Sequence, residues 1–398
     1  MNKPERVTQC TDAHEQLLYF TSTSLTNDDS RIVFISDRTG HPNIFDRELL
    51  TGRERQLTAN REGHLKSYVY FDGTPYRGFG KASTSFHAPS GTLFYIQGRE
   101  IRKVDANGKE TTLACYPDGQ MTAFTHVSAD GRRLCVPTTD EFALDGTKQL
   151  TGKPDYNIDE RIQQEGLSSF LRVYDTTTGE EILCEEVNRC WITHVQFSPV
   201  DSDLILYNHE WPSHCGIRRI WLFDGSKHLR IRTEGQGRSC DDWTCHEMWE
   251  RDGSAIIYHG EFVNGSPYIG RVHPDGTGMR EIALETGSRR YGHFTVGNPN
   301  VLVSDGYYED EGDSDTWGGD WICRLDVNWD EGSIKWEPLC RNSSSWGSQD
   351  AHPHPIIDHN SNYVYFTSDM EGRRAIYRIA LRNNAEQGAA LDADKRRQ

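Results

Sequence analysis

Short apolar runs that alternate with polar residues recur along the whole chain, each followed by a small polar turn. The first and last clear copies match closely: FISDRTGHPNIFDREL, from Phe34 to Leu49, and FTSDMEGRRAIYRIAL, from Phe366 to Leu381. Both read apolar-x-Ser-Asp-x-x-Gly, then an apolar–aromatic pair and a charged residue. The period-two alternation of RIVFIS and NYVYFTS predicts strands, and Asp-x-x-Gly is turn chemistry, so each copy predicts strand, turn, strand. Five weaker copies lie between: GTLFYIQGREIRKVDANGKETTL; RRLCVPTTD with FLRVYDTTTGEEIL; DLILYNHE with RRIWLFDG; SAIIYHGE with YIGRVHPDGTGMREI; and NVLVSDGYYED with DWICRLDVNWDEGSIKWEPL. Seven units of about fifty residues are the span of four-stranded propeller blades.

Long helical patterns are nearly absent. The expected fold is therefore all-β: a seven-bladed β-propeller forming a single domain over residues 1–382. The third unit carries an insert near 140–169, where KPDYNIDERIQQEGL, from Lys153 to Leu167, can hold a short helix. A second insert, acidic and Gly-rich, runs near 308–321 and reads as a surface loop; its spacing does not meet that of a calcium-binding EF-hand. Residues 383–398 read as a polar tail.

Composition narrows the partners. The 398 residues carry 43 Lys+Arg against 60 Asp+Glu, a net charge of −17, which argues against nucleic acid and anionic membranes. A local basic pocket for an anionic substrate remains open. Only 35% of residues are hydrophobic, but 10 Trp, 17 Tyr and 15 Phe supply enough apolar area for a large core. No apolar run reaches membrane-spanning length, and MNKPERVTQCTDAHEQ has no secretory apolar segment. The 10 cysteines form no Cys-x-x-Cys pair and read as scattered thiols of a reducing compartment, so a cytoplasmic location is expected.

The candidate chemistry is in the histidines. SQDAHPHPIIDH holds Gln349, His352, His354 and His359. In an extended segment stiffened by the two prolines, His352 and His354 share one face and can reach one point. Two imidazoles so placed suit Zn, Mn, Fe, Ni or Cu(II); a pair of half-buried histidines near a turn is the plainer alternative. Other histidines stand at the same phase, just before a strand-like run: His126, His194, His246 and His293. Equivalent positions of successive blades converge on the axis, so these predict a ring of imidazoles at one end of the channel. His126 and His194 fit a structural role as well. Trp211, Trp243, Trp249 and Trp346 crowd the same regions and can stack on sugar rings, or pack between blades. Arg218 and Arg219 form the best basic pair nearby, suited to gripping a carboxylate or to an inter-blade ion pair. No GxSxG, P-loop, GxGxxG or HExxH motif is present.

WGSQDAHPHP with NYVYFTSDMEGRRAIY resembles the C-terminal region of the oligogalacturonate lyases, and NHEWP, RRIW, CHEMWERDGSAIIY and GHF before LVSDG follow in that family's order. The resemblance runs from about Asp203 to Leu381, with ISDRTGHPNIF its main match in the first half. It implies a cytoplasmic seven-bladed propeller that cleaves short oligogalacturonides by β-elimination with manganese(II). It further implies metal ligands at His293, Gln349, His352 and His354, His246 as the base, and Arg219 beside the substrate carboxylate. His209, Trp211 and Trp249 become candidates for substrate contact. Trp211-Pro212 stands where the family has Gly-Pro, which leaves the identity of the uronate open. A non-catalytic binding propeller and a metal-dependent hydrolase or epimerase of sugar acids are the competing readings.

Overall fold

Seven antiparallel sheets follow one another along the chain, one for each sequence unit. The computed structural model describes residues 3–66, 79–122, 124–140, 166–210, 219–232, 243–284, 292–297, 300–308 and 319–381. The blade-3 insert, most of the acidic loop, the C-terminal tail and Trp211 lie outside the described residues. Apart from the 3-10 turn Gln349–Ala351, the regular elements among the described residues are strands. None of these residues forms a helix long and apolar enough to cross a membrane.

The innermost strands of blades 1 to 7 are Glu15–Leu17, Ser85–His87, His126–Val127, Val195–Phe197, Trp243–Trp249, His293–Val296 and Ile356–Ile357. Blade 3 is five-stranded, because Gln120–Met121 and His126–Val127 both pair with Arg133–Asp140. Blade 7 takes its outermost strand, Glu5–Arg6, from the other end of the chain, which closes the ring.

The second strands, such as Arg31–Ser36 and Tyr363–Ser368, are buried on both faces, since blades stack against blades. Each seam carries its own apolar cluster. Ile257 and Ile269 of blade 5 meet Phe294 and Leu325 of blade 6, and Val303 and Ile322 of blade 6 meet Val364 and Phe366 of blade 7. Burial of each such side chain contributes about 1.5–3 kcal/mol, so the seams dominate the stability and exposed ion pairs add little.

The Ser-Asp-x-x-Gly repeat has a concrete job. Gly40 and Gly372 adopt φ of 91° and 87°, which their turns require, and each donates its N–H to the motif aspartate's carbonyl at 2.8 Å. The aspartate side chain reaches back to the segment entering the same blade: Asp37 Oδ1 accepts from His14 N–H at 2.8 Å, and Asp369 Oδ1 from Ser345 N–H at 2.7 Å. This end-of-second-strand position recurs in the other blades and governs the site.

The closing strand gives a test. Val7 N–H donates to Ile376 O at 2.8 Å, Ile376 N–H donates to Thr8 Oγ1 at 3.1 Å, and Val7 is buried. Deleting residues 1–8 is expected to remove about 3–4 kcal/mol of stability, at about 1 kcal/mol per lost hydrogen bond plus one buried valine. Urea unfolding measures it; an unchanged midpoint would mean that the ring closes without this strand.

Candidate metal centre and catalytic site

Blades 5, 6 and 7 send four histidines to one place. His293 opens the inner strand of blade 6, and His352 and His354 lie on the segment leading into the inner strand of blade 7. One ring nitrogen from each of these three falls within 4.8 Å of the others, and all three residues are buried. His352 is extended (φ −68°, ψ 136°), but His354 has φ 46°, so the expected strand alternation is replaced by a left-handed kink at the second histidine. Their ring centroids lie 5.7 Å apart.

Asp305 organises this cluster. It occupies in blade 6 the position that Asp37 and Asp369 occupy in blades 1 and 7, and it is fully buried. Its carboxylate accepts the His293 N–H at 2.7 Å, lies 3.1 Å from His293 Nδ1, and accepts the His354 N–H at 3.0 Å. A carboxylate on Nδ1 keeps the proton there and leaves Nε2 as a donor atom for a cation. A Cβ on Gly292 would fall 2.0 Å from Asp305 O, so only glycine allows this approach.

His354 is held from its other side. Lys81 Nζ, fully buried, sits 3.0 Å from His354 Nδ1, and burial lowers the Lys81 amine to about 8. His354 Nε2 is buried with no hydrogen-bond partner. With Lys81 as the neutral amine accepting His354 Nδ1–H, the orphaned His354 Nε2 offers its lone pair beside two further imidazoles, the donor set of a divalent transition-metal ion, so the residues fit such an ion. Burial, then Lys81, depresses His354; burial, then His293, lowers His352 to about 2. Both rings are therefore neutral, the form that ligates.

His246 lies on the blade-5 inner strand at a β-bulge between Cys245 and Met248, with φ 51°. The bulge turns its ring toward the cluster, with its centroid 4.7 Å from that of His293. Its Nδ1 lies 2.7 Å from His259 Nε2. Burial, then the neighbouring imidazoles, keeps it neutral. Phe20 lies against His246, His293 and His354 at 5.5–5.6 Å, and Tyr19 against His354 at 4.9 Å. These two rings, with Ala82, Phe124 and Trp191, make the apolar floor.

Arg219 is buried between two carboxylates. Nε donates to Glu247 at 2.8 Å, Nη1 to Glu210 at 2.9 Å, and Nη2 to His194 Nδ1 at 3.3 Å. Burial acts to raise Glu210, but Arg219 and His194 outweigh it and hold the acid well below its usual range. Three of the five guanidinium N–H groups are used, which leaves two for a ligand.

The remaining sequence candidates divide. Gln349 is exposed on the 3-10 turn three residues before His352. His209 lies against Trp221 at 4.8 Å and Tyr207 at 5.8 Å, and its N–H donates to the Arg219 carbonyl at 2.9 Å. Trp249 packs among Leu206, Ile220 and Ile256 between blades 4 and 5, so its faces are taken by the core and the sugar-stacking expectation is corrected. Trp346, with φ 54°, lies instead against His352 at 4.6 Å. His126 Nδ1 accepts Phe197 N–H of blade 4 at 3.0 Å, an inter-blade contact. Sequence reasoning missed Lys81, Asp305, His259, Tyr19 and Phe20; only Asp305 carried a signal, as the aspartate of LVSDG.

The family model and the curated relatives name one family, and solved structures share its fold. The profile described as oligogalacturonate lyase matches residues 19–385. An oligogalacturonate lyase of Dickeya dadantii (strain 3937) is 26% identical over 375 residues, 90% of this chain and 88% of its own length. An oligogalacturonide lyase of Pectobacterium atrosepticum is 26% identical over 379 residues, again 90% and 88%. A solved oligogalacturonate lyase from Vibrio parahaemolyticus shares the fold with TM-score 0.76 at 23% identity, covering 95% of this chain and 93% of that one. An oligogalacturonate lyase solved in complex with manganese gives 0.76 at 21% identity over the same shares.

Asp305→Asn is expected to weaken binding of a divalent cation about 10–100-fold, because Asn supplies one acceptor where three contacts converge. Calorimetric titration of the metal-stripped protein with manganese(II) measures this. Unchanged affinity would place the cation elsewhere.

Proposed function

The chain belongs to the oligogalacturonate lyase family, and from that premise we propose that it cleaves short oligogalacturonides by β-elimination, leaving a 4,5-unsaturated uronate. The observation that carries this reading is the convergence of His293, His352 and His354 beside a neutral His246.

In this reading His293, His352 and His354 hold a divalent cation, manganese(II) as in the solved relative, and Gln349 adds an amide oxygen from the turn ahead. When bound, the dication supplies a fixed positive charge that offsets the negative charge building on the uronate carboxylate as C5 loses its proton. Imidazole ligands add no charge of their own to that of the ion. Arg219 orients the carboxylate with its two remaining N–H groups. His246, neutral at pH 7, takes the C5 proton. The C5–H pair becomes the C4=C5 bond, the C4–O4 bond breaks, and O4 departs with its electrons and takes a proton from water. Phe20 and Tyr19 form the apolar floor beside the site.

The test is ultraviolet absorbance of the conjugated alkene with digalacturonate and trigalacturonate, after EDTA and after adding manganese(II). A manganese-dependent rise is expected, and His246→Ala is expected to lower kcat by about 10²–10⁴-fold, the range for loss of a general base. Cleavage without new absorbance would mean hydrolysis instead. Metal binding with no reaction on any galacturonide would sink the pectin substrate.

A further inference from the structure

The bond between His246 and His259 has a direction, and chemistry depends on it. His246 Nδ1 and His259 Nε2 lie 2.7 Å apart, with ring planes inclined by 19°. Between two neutral imidazoles, one nitrogen donates and the other accepts. If His259 donated, the His246 proton would sit on Nε2 and its open nitrogen would be no base. If His259 accepts, the proton sits on Nδ1 and Nε2 presents its lone pair.

The repeat shows how His259 comes to be there. It stands opposite Cys245 on the blade-5 second strand, as Asp305 stands opposite His293 in blade 6. In blade 4 the same place is held by Asn208, whose Oδ1 accepts the N–H groups of Thr193 and His194 at 2.9 and 2.8 Å. In blades 4 and 6 this position accepts backbone N–H groups of the incoming segment, but toward the incoming histidine's Nδ1 the two differ: the Asn208 amide Nδ2 lies 3.3 Å from His194 Nδ1, whereas the acceptor-only Asp305 carboxylate lies 3.1 Å from His293 Nδ1. His259 meets His246 Nδ1 as Asp305 meets His293 Nδ1 in the adjoining blade.

We propose that His259 is a positioning residue for the base: its Nε2 accepts the His246 Nδ1–H, fixing the tautomer in which His246 Nε2 can take a proton. This rests on the reading of His246 as the base. When the C5 proton reaches Nε2, His246 becomes an imidazolium that still donates Nδ1–H to His259, and water removes the added proton before the next turnover. A second metal site on Cys245, His246 and His259 is disfavoured by the same geometry. Two nitrogens on one tetrahedral ion at about 2.0–2.1 Å stand over about 3 Å apart, wider than this pair. Burial also pushes the Cys245 thiol up to about 12, away from the thiolate that ligates.

The test compares wild type with His259→Phe, which keeps a ring but no acceptor, and His259→Gln, whose Oε1 replaces the accepting Nε2. Steady-state kinetics, manganese(II) affinity and nitrogen NMR of the His246 ring in the zinc(II)-loaded protein are measured. His259→Phe is expected to lower kcat about 100-fold, with KM and manganese affinity within about twofold; His259→Gln is expected to recover to within about tenfold of wild type. Nitrogen NMR is expected to show a protonated Nδ1 and an unprotonated Nε2 in wild type. The opposite tautomer, full activity in His259→Phe, or equal losses in both variants would overturn the proposal. If His259→Phe does not fold, His259→Gln and the wild-type spectrum still decide. A wild type that forms no alkene sinks the lyase reading, and the spectrum alone then decides the tautomer.

Discussion

The Asp305 carboxylate is the constraint on which the rest of the site depends. It is fully buried and ties the entry of blade 6, through His293 N and Nδ1, to the entry of blade 7, through His354 N. One group thereby sets the spacing of two of the three clustered imidazoles and the tautomer of one. A buried carboxylate without partners would be costly; here two backbone N–H groups and an imidazole nitrogen surround it. Gly292 is the concession the chain makes to let that approach happen. The left-handed backbone at His354 follows, because the residue must both offer its N–H to Asp305 and aim its ring at the cluster.

The site is built by reuse of one structural position. The residue ending the second strand of a blade bonds to the segment that enters it: Asp37, Asn208, Asp305 and Asp369 do so through side-chain oxygens. In blade 1 the partner is a backbone N–H, in blade 7 a backbone N–H and two serine hydroxyls, and the contact is structural. In blades 5 and 6 the partner includes an imidazole, and the same contact orients a functional group. Around it the charges are arranged rather than merely balanced. Arg219 between Glu210 and Glu247 gains little net stability, since desolvation of three ions offsets their attraction. What it gains is a fixed place for the guanidinium on the blade-4 side of the histidines.

Much of this was legible in the chain. The Ser-Asp-x-x-Gly turns of the first and last units, with the period-two runs and small polar turns between them, mark all seven blades, because strand alternation and turn chemistry are local requirements. The phase of His246, His293, His352 and His354 relative to those runs marks the convergence, since blade repeats map phase onto radius. Lys81 and the Tyr19–Phe20 pair were not legible. They lie hundreds of residues from His354 in sequence and meet it only when the ring closes, and nothing local distinguishes a buried lysine from an exposed one. Trp249 went the other way: its neighbours suggested a sugar platform, but its strand position faces the seam between blades 4 and 5.

By itself, then, the sequence determined the number of blades, the strands within them and which histidines share a phase, because these follow from side-chain periodicity and turn chemistry within a few residues. Tertiary structure decided which nitrogen of each ring is occupied, that Asp305 rather than a nearer acid holds His293 and His354, that Arg219 is clamped by Glu210 and Glu247, and that His259 backs His246. Those are contacts between blades, across a bulge or between the ends of paired strands. Their existence depends on angles and distances of a few ångströms, which no residue pattern along a chain encodes.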